Sequence, residues 1–395
     1  MPFKKLTQNF LLPELKVLKV VRARYSIFEI HVVKHSDFEV CPHCATKSKT
    51  VHDRRWVKIK DVPFRKQAIF LKVLKRRFRC PNCKKVFTEP VQGIQKRARI
   101  TQRLERKLCW SCQTYTDLKK VQKTYNVGRK LIYKSFYRQL ELKEREFRNT
   151  PWPKVIGIDE HGFSKDKRRG ARNFATLIVD HKSKKVREIV EGKSHRKLYE
   201  GLDHIPGREN VKLVTIDLAD SYKSFVKNFF PNAEIIADKF HVLRLITPTL
   251  NKKRIGITGD KRTHELRKML LRKRENLHYA DRIELDHWLN KYPELKEVYL
   301  AKEGLYTLYK CKGFNRAKQS LIKLIDKLQK SKIKELKRLG RTLLRWSKEI
   351  LRYFSFKYTN ARTEAFNNNA KLVQKRAYGY KSFKNYRLRV LSACR

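Results

Sequence analysis

Residues 154–162 read Lys-Val-Ile-Gly-Ile-Asp-Glu-His-Gly, an apolar strand signal that ends on two adjacent carboxylates. Val155, Ile156 and Ile158 are β-branched, Gly157 permits close backbone approach, and Pro151 and Pro153 break the chain just before. The pattern predicts the first core strand of a new domain. A core strand gains nothing by carrying Asp159 into low dielectric unless the charge is paired, hydrogen-bonded or metal-bound. The arrangement returns at residues 211–217, where Val-Lys-Leu-Val-Thr-Ile runs into Asp217. Two such strands laid side by side hold two carboxylates together.

The order of elements around these strands narrows the fold. Residues 172–180 and 185–190 read as strands, 195–205 as a helix, 211–217 as a strand, 221–230 as a helix and 234–237 as a short strand. Three strands, a helix, then alternating strand and helix is the order of an RNase H-like α/β domain, expected over residues 151–395. Between about residue 243 and residue 355 the pattern is helical and dense in Lys and Leu, which predicts an all-helical insertion. Two-metal chemistry calls for a third acid, and Glu364 is the candidate. Asn360, Glu364 and Asn367 recur at intervals of four and three, so they share one face of a helix reaching residue 376, with Thr359 or Asn360 as its cap. Among other carboxylates, Glu160 falls on the opposite strand face from Asp159, and Asp220 is expected to cap the helix that follows it. Asp238 also ends a strand, with His241 three residues on, and is the rival of Asp217 as a metal ligand. Lys375 and Arg376 either hold DNA near that site or complement the negative end of their helix.

The chain has 395 residues, with 96 Lys and Arg against 38 Asp and Glu, a formal charge of +58. Such a field asks for a polyanion, and double-stranded DNA is the expected partner. A membrane-surface protein or a disordered basic tail fits poorly, since 41% of residues are hydrophobic, 11% are aromatic, and no long apolar run or signal peptide is visible. A cytoplasmic, nucleoid-associated protein is expected, with Cys311 and Cys394 as free thiols.

Residues 1–95 carry strand-like segments at 15–21 and 25–33, then Cys41-Pro-His-Cys44 and Cys80-Pro-Asn-Cys83. Two such knuckles have the spacing of a four-thiolate zinc ribbon, here with a β-hairpin (56–61 and 68–78) between them. Four thiolates leave no open coordination position, so this Zn²⁺ is structural, and His43 faces solvent. The alternative, two disulfides in a secreted domain, conflicts with the missing signal peptide. Arg54, Arg55, Arg76 and Arg77 make the hairpin basic and are candidate DNA contacts, although a run of charge is also what a solvated strand face looks like. Over residues 96–150, Cys109 and Cys112 recur with Leu104 and Leu108 at helical spacing and read as core residues of a helix at 101–114 rather than as a third knuckle. Thr116 and Asp117 then open a helix, Asn126-Val-Gly128 breaks it, and a basic helix starts at Arg129 with Lys130 and Lys134. That is the plan of a helix-turn-helix whose second helix enters the major groove, with a plain helical hairpin as the alternative.

Together, Gly157-Ile-Asp-Glu160, Thr215-Ile-Asp217, Ala237-Asp-Lys-Phe-His-Val242 and Thr359-Asn360 leading to Glu364-Ala-Phe-Asn367 resemble the IS-L-three insertion-sequence transposases. Val51-His-Asp-Arg-Arg-Trp56 and Thr101-Gln-Arg-Leu-Glu105 are similar too, so the resemblance spans nearly the whole chain; it departs at Ala361 and Phe174, where glycine and tyrosine are expected. It implies a DDE transposase with Asp159, Asp217 and Glu364 as catalytic triad and Mg²⁺ ligands. Two Mg²⁺ ions are implied, with Mn²⁺ able to substitute. Asp238, His241, Asn360 and Asn367 are implied as accessory residues. The expected activity is binding of the element's terminal inverted repeats, cleavage and strand transfer, by a homodimer or higher oligomer on DNA. A non-catalytic zinc-ribbon repressor and a nuclease without strand transfer are the alternatives.

Overall fold

A computed structural model describes residues 12–24, 27–65, 67–114, 117–165, 172–260 and 264–395. Tyr25 and Thr116, on which two expected boundaries fall, lie outside the described residues. The chain divides into two compact units, Met1–Leu142 and Lys143–Arg395.

In the first unit the strands are β1 (Leu15–Arg24), β2 (Ile27–Lys34), β3 (Glu39–Val40), β4 (Lys47–Ser48), β5 (Val51–Lys60), β6 (Ala68–Arg79) and β7 (Val86–Thr88). β1-β2-β6-β5 form one sheet, parallel between β2 and β6 and antiparallel elsewhere, with β7 added to the end of β6. The alternation of β6 is the reason for its sidedness: Leu71 and Val73 point to one face and pack with Val32, Ile59, Leu15, Val91 and Ile94. Three helices follow, α1 (Gln102–Thr114), α2 (Leu118–Tyr125) and the start of α3 (Arg129–Arg148). Cys109 and Cys112 are buried in α1, as their helical spacing predicts. Asp117 caps α2 by accepting from the Lys120 N–H at 2.7 Å. Asn126 ends α2 in the left-handed conformation (φ 45°), which lets α3 begin three residues later. Lys60 reaches this turn, donating to the Asn126 carbonyl at 2.6 Å.

The second unit contains β8 (Val155–Lys165), β9 (Arg172–Asp180), β10 (Lys185–Glu191), α4 (His195–Leu202), β11 (Leu213–Ile216), α5 (Asp220–Phe229) and β12 (Glu234–Ala237). The strand order is β10-β9-β8-β11-β12, antiparallel up to β8 and parallel from β8 to β12, which is the RNase H-like arrangement. The helices that follow are α6 (Lys239–Arg244), α7 (Thr247–Thr258), α8 (Glu265–Leu271), α9 (Tyr279–Lys291), α10 (Pro293–Lys310), α11 (Phe314–Lys330), α12 (Lys334–Arg345) and α13 (Ser347–Phe356), the expected helical insertion. The chain then returns to the sheet as α14 (Ala361–Arg376) and α15 (Phe383–Cys394). Ile156 and Ile158 share a core with α4, α5 and the insertion, whereas Phe163, Leu177, Val179 and Ile189 pack against Ala370, Tyr386 and Val390 of α14 and α15. The sheet is therefore covered on both faces, as a largely apolar strand set requires.

Two expectations about boundaries need correction. β8 does not stop at Asp159; it continues to Lys165 because β9 pairs with it as far as Arg172. Asp220 is the first residue of α5, with Ala219 at the cap, and its exposed carboxylate pairs with Arg345 at 3.2 Å.

Candidate functional site

The four knuckle cysteines come together. Their sulfurs all lie within 4.8 Å of one another, with Cys41 to Cys83 at 3.6 Å and Cys44 to Cys80 at 3.4 Å. Four Zn–S bonds of about 2.3 Å in a tetrahedron put sulfurs about 3.8 Å apart, so the cluster fits zinc. The two knuckles are built alike. Cys41 N–H donates to the Thr46 carbonyl and Cys80 N–H to the Lys85 carbonyl, and Ala45 and Lys84 both take positive φ (56° and 58°) to close the turn. Phe78 and Phe87 pack beside the sulfurs.

The basic side chains are disposed unequally. Arg54, Arg55, Arg129, Lys130, Lys134, Lys375 and Arg376 are exposed. Arg77 is half-exposed and holds Asp53 at 2.7 Å. Arg76 is the exception to the expectation: its guanidinium is nearly buried, donates to Glu89 at 2.8 and 2.9 Å and to the Ser36 carbonyl at 2.6 Å, and holds the sheet together rather than facing outward.

The catalytic candidates lie just past the point where the parallel pairing of β8 and β11 ends. β11 pairs with β8 at Gly157 and no further, so Asp159, two residues beyond, stands where the sheet opens beside Asp217, the first residue after β11. α14 lies over this opening. Its stripe Asn360, Thr363, Asn367 is buried against β8, and Gly157 lets it approach, since a Cβ there would stand 2.1 Å from the Thr363 hydroxyl. Asn360 occupies the cap position of α14, but its side chain caps nothing and turns to the site instead. Its amide N–H donates to Asp217 Oδ1 at 3.3 Å and to the Ile158 carbonyl at 3.1 Å, and its backbone N–H donates to Asp238 at 2.9 Å. Two helical turns later, the Asn367 amide donates to Asp159 Oδ2 at 2.6 Å.

Both amides are held from behind. Tyr386 O–H donates to His161 Nε2 at 2.5 Å, and His161 Nδ1–H donates to Asn367 Oδ1 at 2.8 Å. On the other side, His181 Nε2–H donates to the Thr215 hydroxyl at 3.0 Å, which donates to Asn360 Oδ1 at 3.1 Å. Each chain fixes an asparagine so that its donor end faces a carboxylate. Burial lowers the pKa of both histidines, that of His181 to about 4 with help from Arg362, so both stay neutral as the chains require. Sequence reading missed His161, His181, Thr215 and Tyr386. The period-two rule could have found His161, which lies on the same strand face as Asp159.

Asp238 and His241 form a separate arm. Asp238 caps α6 and is buried; His241 bridges it to Asp217, with Nδ1 at 3.0 Å from Asp238 and Nε2 at 3.0 Å from Asp217. Hydrogen bonds to Asp217 and Asp238 push His241 up to about 10. Burial would raise Asp238, but the His241 imidazole and the Asn360 N–H hold it below the ordinary carboxylate value. Among the described residues, the acid cluster with ligand atoms within 4.8 Å is Asp217, Asp238 and His241, and it includes neither Asp159 nor Glu364. Glu364 is exposed at the edge of the α14 stripe.

Asp159 has the opposite electrostatics to Asp238. Burial and the Asp217 charge push it up to about 7, with Glu160 adding to the effect. A carboxylate whose ionisation is opposed by a neighbouring carboxylate suits a divalent cation between the two. The sign of the pH effect follows. Asp159 binds its proton more tightly folded than unfolded, so its contribution to stability is full below about pH 4 and is lost as pH rises through about 7. Without added divalent cation, the wild type is expected to lose more stability between pH 5 and pH 8 than Asp159→Asn does. Urea denaturation of both at the two pH values checks this. The His241 contribution, present below about 6.5 and lost through about 10, is common to both proteins and cancels in the difference. Parallel pH profiles would contradict the assignment.

A buried RNase H-like sheet that brings two aspartates together where the pairing of its adjacent parallel strands ends, in a chain that also carries a four-cysteine ribbon, marks a nucleic-acid-processing protein. The family model described as a transposase, ISL3, matches residues 156–390, and the chain belongs to that family. A second model, the zinc-finger of the IS204/IS1001/IS1096/IS1165 transposases, matches residues 37–83. The chain is also 24% identical over 367 residues to the transposase for insertion sequence element IS1001 of Bordetella parapertussis, covering 90% of this chain and 88% of that protein. No helix among the described residues is long and apolar enough to cross a membrane.

Proposed function

We propose that the chain is a DDE transposase that binds the terminal inverted repeats of its own element, cleaves there, and joins the 3′ ends to target DNA. The observation that carries this reading is the pair Asp159 and Asp217, each aimed by an asparagine of α14 and together raising the Asp159 pKa. With Glu364 at the edge of the same helix, they would hold two Mg²⁺, or Mn²⁺ in their place. Ions bound there supply activation of the attacking oxygen and neutralisation of the leaving one. The chain's own part is to keep the carboxylates apposed and to hold the amides rigid. Asp238 and His241 orient Asp217 from its other side.

The exposed cations Arg129, Lys130 and Lys134 at the start of α3 suit a helix entering the major groove, and Lys375 and Arg376 suit contact with the phosphate backbone near the site. The proposed domain plan is a zinc ribbon over 1–95, a helix-turn-helix over 96–150 and a catalytic domain over 151–395. Two element ends must be joined in one reaction, which suits a homodimer or higher oligomer on DNA. The test is incubation of the full chain with a labelled duplex carrying the element's end, with and without Mg²⁺, plus a target plasmid. Cleavage followed by joining is expected. Cleavage without joining indicates a nuclease, and tight binding with no cleavage in Mg²⁺ or Mn²⁺ indicates a repressor.

A further inference from the structure

The sheet of the first unit packs Leu71, Val73, Val32 and Ile59 into a core on one face. Its other face has an unusual cross-strand order. Lys19 of β1 lies directly opposite His31 of β2, His31 opposite Lys72 of β6, and Lys72 opposite Lys58 of β5. This row crosses all four strands; burial and the neighbouring lysines hold the His31 pKa below its ordinary value, so the like charges directly opposite each other, which destabilise a sheet, are Lys72 and Lys58. On this face Glu29 is bonded to Lys58, and Glu89 is bonded to Arg76 towards one end. In the next row along the strands, Lys16 of β1 is followed by the apolar Val33, Leu74 and Trp56. Trp56 lies on the edge strand, is 44% exposed, and has the His31 ring at 5.3 Å and the Lys72 ammonium at 5.8 Å. On the other side of the cationic row Phe70 sits under Lys58 at 4.4 Å. Two directly opposed lysines beside an exposed tryptophan suit a partner that is anionic and aromatic.

We propose that this face binds single-stranded DNA, with phosphates on the Lys19–Lys58 row and an unpaired base stacked on Trp56. Width decides between single strand and duplex. Four strands at about 4.8 Å spacing span about 14 Å between outer strand axes, and a major groove about 12 Å wide admits a helix or a two-stranded ribbon. A flat four-stranded face therefore meets a duplex only at its phosphates, where Trp56 has nothing to stack on. Unpaired bases present their rings to such a face, and stacking on an aromatic side chain is tolerant of sequence. The proposal goes beyond the transposase reading and does not depend on cleavage: Asp159→Asn is expected to bind single strands as the wild type does.

The experiment is fluorescence anisotropy of the full chain with a labelled 12-nucleotide single strand and with the matching duplex. Trp56→Ala is expected to weaken single-strand binding about tenfold, the loss of one stacked base, and to change duplex binding by less than about twofold. Trp56→Phe keeps a ring and is expected to retain most of the affinity. Lys72→Gln is expected to reduce the single-strand salt slope by about 0.7 and to raise the melting temperature of the free protein, since it breaks the repulsive row. Equal losses on both DNAs with Trp56→Ala, or no loss on the single strand, overturn the proposal. So does a fall in melting temperature with Lys72→Gln, which would make that lysine part of the sheet's own support.

Discussion

Asp159→Asn and Asp217→Asn are each expected to abolish DNA cleavage, by about ten-thousandfold or more, while binding of the element's end persists. Residues that act as one catalytic unit lose nearly everything singly, which sets that magnitude. Asp159→Asn carries the opposite thermal signature to that of a structural acid. Asp159 is half-buried beside Asp217 with its pKa pushed up to about 7, so in the absence of divalent ions removing its charge relieves repulsion, and Asp159→Asn is expected to melt higher than the wild type. Asp238→Ala is expected to melt lower, because its carboxylate caps α6, accepts the Asn360 N–H at 2.9 Å and holds His241 at 3.0 Å. Glu364→Ala touches an exposed side chain and is expected to leave stability unchanged while cleavage disappears. Gel assays of cleavage and binding beside thermal melts of the four variants separate metal-holding acids from structural ones. If Glu364→Ala cleaves normally and Asp238→Ala does not, the third ligand is Asp238 and the triad assignment falls.

The sheet was legible because its signals were strong. β12 runs from Glu234 to Ala237 as its apolar run predicts, and α1, α3 and α5 begin within one residue of their expected starts. β8 was misjudged at its far end because residues 160–164 carry Glu, His, Gly and Ser, which read as a break; only pairing with β9 keeps them in the sheet, and pairing is not local. Arg76 is similar. Its neighbours on β6 are basic and read as a surface run, but Glu89, thirteen residues on, folds back beside it and the pair is buried. The two hydrogen-bond chains show the same limit more sharply. His181 sits in the turn after β9 and reaches Thr215 on β11 across the width of β8, and Tyr386 reaches His161 from a helix 225 residues away. Periodicity assigns a residue to a face; it does not say which side chains meet there.

Gly157→Ala is expected to disable the protein through one methyl group. Gly157 is part of β8 and has no need of an unusual backbone angle, so what requires glycine is the space on the α14 side. A Cβ built there stands 2.1 Å from Thr363 Oγ1 and 2.8 Å from both Asn360 Oδ1 and His181 Nε2. None of the three is the free end of a flexible side chain. Asn360 and His181 belong to the hydrogen-bond chain that aims an amide at Asp217, and Thr363 is fully buried under α14. Overpacking a well-filled site costs about 1–3 kcal/mol, and three simultaneous clashes place this substitution at or above the upper end. The larger effect is on catalysis. α14 must lift from β8 to make room, which withdraws the Asn360 and Asn367 donors together, and displacing catalytic groups by about 1 Å can lower a rate about a hundredfold. The discriminating measurement is a double-mutant cycle with Thr363→Ala, which removes the closest of the three atoms. The pair is expected to recover part of the stability lost by Gly157→Ala. If the effects simply add, the close approach of α14 at Thr363 is not what glycine serves at this position.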